Sequence, residues 1–234
     1  MNERFLRTSL IFGDDNINKL SSCNVAVFGI GGVGGYVSEA LARSGVGKLT
    51  LIDGDVVSLS NINRQIIALT STVGRYKADV MKERILDINP DAEVKTINSF
   101  ITPENIGDFK LCDYDYVVDA IDDIKAKLAL VKFCYDNSIP IISAMGAGNK
   151  LDATGFEVSD IFKTSVCPLA RIMRRELKKL GVDKLKVVYS KEEPKNPPYK
   201  IEGEKTVGSL AFVVSVMGLI IAGEVIKDLC SLPL

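Results

Sequence analysis

Gly29, Gly31 and Gly34 sit in Gly29-Ile30-Gly31-Gly32-Val33-Gly34 at the spacing of a phosphate-binding turn. Gly29 permits a tight turn, Gly31 lets the backbone approach a phosphate, and Gly34 lets a following helix pack closely on the preceding strand. The helix that opens there offers free N–H groups to an anion. Asp53 follows Gly34 by 19 residues, at the end of the next apolar run. An acid at that place accepts from ribose hydroxyls. The fingerprint indicates a nucleotide without saying which. Arg64 and Lys77 narrow it: a cationic pair suits triphosphate oxygens and a pyrophosphate leaving group, which a dehydrogenase does not present. Val118-Asp119-Ala120-Ile121-Asp122-Asp123 ends a later apolar run with three carboxylates. Mg²⁺ takes one or two carboxylates together with phosphate oxygens. Asp122 is the favoured ligand, while Asp123 is left between a metal role and capping the next helix.

The chain contains no histidine. That excludes Ser-His-Asp and Cys-His nucleophile systems, paired-histidine zinc sites and any histidine general base. The five cysteines, Cys23, Cys112, Cys134, Cys167 and Cys230, form no C-x-x-C pair, so zinc is not expected. Most lie in apolar runs, which fits reduced thiols in the cytoplasm. Cys167 precedes Pro168 at the head of a helical stretch. It reads either as a thioester nucleophile favoured by the helix N-terminus or as a small apolar filler; intramolecular chemistry needs no thioester, which favours the filler.

These residues need a scaffold that brings strand ends together. VAVFGI (Val25 to Ile30), KLTLID (Lys48 to Asp53), EVKTIN (Glu93 to Asn98), YVVDAI (Tyr116 to Ile121) and PIISAM (Pro140 to Met145) read as strands. Helices are expected over Val33 to Ser44, Arg75 to Ile88 and Lys125 to Asn137. Continuous apolar strands alternating with helices predict one α/β domain over residues 1–234. Its fold is Rossmann-like and doubly wound, a mostly parallel sheet with helices on both faces. Phe156 to Asp160 and Lys186 to Ser190 read as two further strands. Residues 191–205, rich in proline, glutamate and lysine, read as a mobile loop.

The net charge of −1 advertises no general affinity for nucleic acid, so an RNA partner must use a local patch. The expected helix from Leu169 to Leu180 offers one. At about 100° per residue, Arg171, Arg174, Arg175, Lys178 and Lys179 share one arc and Leu169, Ile172, Met173, Leu177 and Leu180 the other. The plainer reading is an ordinary solvated face. A last helix, about Ser209 to Leu229, overlaps 18 uncharged residues from Thr206 to Gly223. That is the lower edge of a membrane-spanning length, but burial against the sheet is the expectation and membrane contact is not. The charged N-terminus lacks the apolar stretch of a signal peptide.

GIGGVG, LIDGDVVSLSNINRQ, Lys77 and VVDAIDDIKAK together resemble the ubiquitin-activating-enzyme-like family of adenylating enzymes, over nearly the whole chain. The resemblance implies ATP and Mg²⁺ as cofactors. It places Gly29, Gly31, Gly32, Gly34, Asp53, Asp55, Asn61, Arg64, Gln65 and Lys77 around the nucleotide and Asp122 at the metal. It also implies a homodimer in which Arg7 reaches the partner's ATP. The common D-N-x-x-x-R pattern is altered here, with Asp123 and Lys127 in place of the Asn and Arg. The stretch from Asp160 to Val182, with the missing C-x-x-C pairs, is similar to the tRNA threonylcarbamoyladenosine dehydratase branch. That branch implies ATP-dependent cyclisation of the threonylcarbamoyl group on tRNA; independently of the resemblance, the basic arc of Arg171, Arg174, Arg175, Lys178 and Lys179 is the expected tRNA contact. Two alternatives are an adenylyltransferase for the C-terminus of a ubiquitin-like sulfur carrier and a dinucleotide-binding oxidoreductase or binding module. Pyrophosphate release with tRNA or with a carrier separates the first two, and tight dinucleotide binding would mark the third.

Overall fold

The computed structural model describes residues 3–199 and 207–232. Seven strands form one sheet. They are β1 (Asn24–Phe28), β2 (Lys48–Ile52), β3 (Glu93–Ile97), β4 (Tyr116–Asp119), β5 (Ile141–Ala144), β6 (Phe156–Asp160) and β7 (Lys186–Ser190). The order across the sheet is β3-β2-β1-β4-β5-β7-β6. All pairings are parallel except β6 with β7. The chain moves outward from β1 to β3, then returns to place β4 on the other side of β1. The crevice between the carboxyl ends of β1 and β4 is therefore the topological switch point, where such sheets bind ligands. This is the doubly wound, mostly parallel α/β fold that the sequence predicts.

Both faces of the inner strands are buried, which explains their apolar runs, whereas the outer strands β3 and β6 are partly exposed. Val25 and Val27 point into a core shared with three helices, α3 (Gly34–Arg43), α4 (Lys77–Ile88) and α7 (Ala211–Cys230). Ala26 and Phe28 point into a second core under α5 (Ile124–Asp136). A third packs α6 (Pro168–Lys179) on β5 and β7 through Ala170, Met173 and Leu177. Within α7, Val213, Met217, Ile221 and Val225 are fully buried, so its apolar run is core as expected. No described helix is long and apolar enough to cross a membrane.

Two short helices at the start, α1 (Leu6–Phe12) and α2 (Asp14–Ser22), have no counterpart in the sequence reading. Of their residues only Leu20 is buried, so neither carries a strong apolar period. α4 begins two residues later than expected because Tyr76 forms an isolated antiparallel bridge with Val56. Of the segment read as a mobile loop, residues 200–205 lie outside the described residues. Residues 192 and 195 are anchored. The Glu192 carboxylate accepts from the backbone of Leu151 and Asp152, and Lys195 N–H donates to the Asn149 carbonyl.

Candidate active site

The glycine turn forms the floor of the crevice. Gly29 has φ of +87°, and a Cβ there would lie 2.7 Å from the Ala120 carbonyl oxygen, so the first turn packs backbone to backbone on the end of β4. A Cβ on Gly34 would overlap the Gly29 carbonyl oxygen; glycine is required for α3 to approach this turn. Asp53 holds the turn from the β2 side. Its carboxylate accepts from Ile30 N–H at 2.6 Å and from Asp55 N–H at 2.8 Å. Burial pushes its pKa up, against the opposing charge of Lys77 and those two bonds.

Lys77 reaches the site through a pairing invisible in the local sequence. Val57 N–H donates to the Arg75 carbonyl and Lys77 N–H to the Asp55 carbonyl, drawing the start of α4 across residues 55–57. The Lys77 ammonium then meets Asp55 Oδ2 at 2.7 Å, buried on the lysine side and half-exposed on the aspartate side. The segment between them turns back over the glycines. Asn61 is buried, and its Oδ1 accepts from Ser58 N–H at 3.1 Å, closing a 3-10 turn from Leu59 to Asn61. Arg64 follows, its Cγ 3.5 Å from the position a Cβ on Gly32 would take. Its guanidinium donates to the Ser60 carbonyl at 3.0 Å and to Asn63 Oδ1 at 2.9 Å, leaving further N–H groups for a ligand. Gln65 is buried beside Gly31, its Nε2 3.8 Å from a Cβ built there, and its Oε1 has no hydrogen-bond partner among the described residues.

Asp122 stands exposed on the turn that leaves β4, and no hydrogen bond within the described residues engages its carboxylate. Asp123 caps α5, accepting from Ala126 N–H at 2.8 Å, which settles its open reading in favour of the cap. A single free carboxylate at the carboxyl end of β4 fits Mg²⁺, which takes one or two carboxylates and completes its shell with phosphate and water oxygens. Among the described residues no three Cys, Asp or Glu converge to hold a metal by themselves. Lys127, which stands where the family pattern has arginine, is fully buried in an ion pair with Asp119 at 3.0 Å. Asp119, one of the three carboxylates that end this run, is thus committed to the buried pair.

Arg7 does not join this site. It lies exposed on α1, whose neighbour Phe5 packs on Gly45, and Gly45 leads into the amino end of β2. Asp53, Arg64, Gln65 and Lys77 cluster instead with the glycine turn at the carboxyl ends of the strands.

The chain matches the model of the ThiF family over residues 3–233. It belongs to that family. It is 45% identical to the tRNA threonylcarbamoyladenosine dehydratase of Bacillus subtilis, covering 98% of this chain and 95% of that protein. It is 43% identical to the enzyme of the same name in Escherichia coli, over 77% of this chain and 72% of that one. Its structure superposes on E. coli tRNA N6-threonylcarbamoyladenosine dehydratase, TcdA, in complex with ATP, with a TM-score of 0.90 and 36% identity over 97% of this chain and 94% of the other.

The basic helix α6 starts at this edge as well: Cys167 Sγ and Leu169 Cβ lie 3.4 and 3.9 Å from a Cβ built on Gly146, just past β5. Its five cations are not equivalent. Arg174 turns inward and donates to the Thr164 carbonyl at 2.9 Å and to its hydroxyl. Its guanidinium is thus partly engaged in structure, a correction to its place on an open arc. Arg175 and Lys179 both pair with Glu176, at 2.6 and 2.9 Å. Arg171 and Lys178 are exposed and make no ion pair among the described residues. On the apolar side, Leu180 is also exposed, against expectation, because it is the residue that ends the helix. The Cys167 sulfur sits in the apolar cluster with Met145, Ile161 and Ala170, as filler.

Proposed function

We propose that this chain is an ATP-dependent tRNA threonylcarbamoyladenosine dehydratase that works as a homodimer in the cytoplasm. The observation that carries the reading is the crevice at the β1–β4 switch point. It gathers a phosphate-binding turn, a ribose acid, two cations and one free carboxylate, in a chain matching dehydratases along its full length.

The chemistry needs no histidine. The threonyl carboxylate has an ordinary pKa near ~4 and is ionised at neutral pH, so its oxygen attacks the α-phosphorus unaided. The O–P bond forms as the bond to pyrophosphate breaks. Asp53 holds the ribose, and the glycine turn and the α3 N-terminus hold phosphate oxygens. Arg64 and Lys77 take up the charge that develops on the departing pyrophosphate. Asp122 would hold Mg²⁺, which when bound neutralises phosphate charge. The carbamoyl nitrogen of the same substrate then attacks the activated carbonyl, losing its proton as AMP leaves with the former carboxylate oxygen. The net change is a ring closed with loss of water, and ATP converted to AMP and pyrophosphate.

Supporting a dimer, α1 leaves Leu6, Leu10 and Ile11 exposed, and the segment over the glycines leaves Leu59, Leu69 and Tyr76 exposed. Such an apolar surface is what a second copy covers. Arg7, remote from its own crevice, would serve the partner's. On α6, Arg171, Arg175, Lys178 and Lys179 would bind tRNA phosphates, with Arg174 bracing the helix. Pyrophosphate release tests the reading. It should require tRNA bearing threonylcarbamoyladenosine and fail with a ubiquitin-like carrier. Release with the carrier alone would replace this function by the sulfur-carrier one.

A further inference from the structure

Lys127 brings a full charge into the interior, directly behind the exposed carboxylate of Asp122. Its ammonium donates to Asp119 Oδ1 at 3.0 Å and to the Ile121 carbonyl at 2.9 Å. Asp119 is equally buried. Its Oδ1 also accepts from Ile121 N–H at 3.2 Å, and its Oδ2 accepts from the Ser143 hydroxyl. Ile121 is therefore held at both of its backbone polar groups. Asp123 is held as well: its side chain accepts from Ala126 N–H at 2.8 Å and its carbonyl from Lys127 N–H at 3.0 Å. Asp122 lies between these two fixed residues with its own carboxylate free.

Stability does not account for the pair. Two charges taken out of water regain little from each other, and apolar side chains of similar volume commonly do as well. Apolar neighbours are at hand, since Val117, Ala126, Leu130 and Cys134 are all buried in the core between β4 and α5. The Cys134 thiol is pushed up to about 12, first by burial and then by the charge on Asp119. What an apolar pair cannot do is grip the Ile121 carbonyl.

We propose that Lys127 is a positioning residue for nucleotide activation: by holding the Ile121 carbonyl and Asp119 together, it fixes the peptide that joins Ile121 to Asp122 and aims the Asp122 carboxylate at the Mg²⁺ of ATP. The inference rests on the reading of Asp122 as the magnesium ligand. It places Lys127 beneath the site, where it orients a ligand and does not touch the nucleotide. Partners that orient a metal ligand in this way typically set metal affinity by about 10–100-fold.

The test is a calorimetric titration of the full chain with ATP, with and without magnesium chloride. Lys127→Met alone strands a buried carboxylate and is expected to unfold the protein. The informative variants are therefore Asp119→Asn/Lys127→Met, which removes both charges, and the wholly apolar Asp119→Leu/Lys127→Met, with Asp122→Asn run in parallel. The double variants should bind ATP alone as the unaltered chain does. The tightening that Mg²⁺ brings should fall about 10–100-fold, and the Mg²⁺ needed for half-maximal pyrophosphate release should rise in proportion. If Asp122→Asn loses the Mg²⁺ effect while a folded double variant keeps it, Lys127 is merely structural and the proposal is overturned. If Asp122→Asn itself keeps the effect, the ligand reading has failed first and the positioning role goes with it.

Discussion

The nucleotide crevice and the outer face of α6 both carry cations and, under the proposed function, both meet phosphate, yet they are built on different plans. In the crevice each of three charged groups is fixed by hydrogen bonds or an ion pair, some local and some from other parts of the chain. Asp53 is fixed by two backbone N–H groups, Lys77 by Asp55, and Arg64 by Ser60 and Asn63. On α6, Arg175 and Lys179 share one exposed-side partner in Glu176, while Arg171 and Lys178 have none among the described residues. The difference follows from what each surface must do. A transferring phosphoryl group is stabilised by dipoles and charges already in place, which need not reorganise as charge develops. Binding an RNA backbone needs charge density and tolerates mobile side chains, because much of its affinity is counterion release.

The comparison breaks most sharply at Asp122. Asp122→Ala should cut adenylation by about 10²-fold or more, the scale of losing a positioned electrostatic group. The melting temperature should hardly move, because the side chain is exposed and unbonded. Full pyrophosphate release by this variant would remove the metal assignment.

Next in size is complementation between subunits. Arg7→Ala and Arg64→Ala should each be inactive as pure dimers, and mixing them should restore activity, since one of the two sites in a mixed dimer is then intact. Should mixing restore nothing, the arginine does not act across an interface.

On α6 the structure separates two effects that composition cannot. Arg174→Ala should cost stability, about 1–3 kcal/mol, because it strips donors from the buried Thr164. Its effect on tRNA affinity should be small. Reversing Arg171 and Lys178 to Glu should leave melting unchanged and weaken tRNA binding, lowering the salt slope by about 2. Equal slopes for variant and parent would take the helix out of the RNA surface.

The smallest expected effect is on pH. Burial raises the Asp53 pKa in the folded chain, so the folded state holds this proton more tightly than the unfolded one. Below the unfolded carboxylate value this group favours folding, and the contribution disappears as pH rises through the raised folded value. ATP binding runs the other way. The ribose wants an ionised acceptor, so affinity should fall on acidification at a pH above the ordinary aspartate range near ~4. An acid limb at or below that range would mean that Asp53 is not the controlling group.

The sequence was most legible where one local pattern carried the signal. The glycine turn, β1 and the end of β2 could be read because strand, turn, helix and acid follow within about thirty residues of one another. Three features were not legible, each because only the fold brings its partner to it. The pairing of Val56 with Tyr76 joins segments twenty residues apart and belongs to no regular strand. Arg174 looks solvated on a helical wheel, and only the fold brings Thr164 beneath it. The sequence shows Lys127 only as a replacement for the family arginine, and its burial is seen once the fold places Asp119 beside it. α1 and α2 escaped because Leu20 alone of their residues enters the core.

The most direct measurement is incubation of the full chain with ATP, Mg²⁺ and tRNA carrying threonylcarbamoyladenosine, followed by mass spectrometry of the released nucleosides. The account predicts conversion of the modified nucleoside to a species lighter by one water, dependent on ATP and accompanied by AMP. An unchanged nucleoside, in a preparation shown to bind ATP, would contradict it.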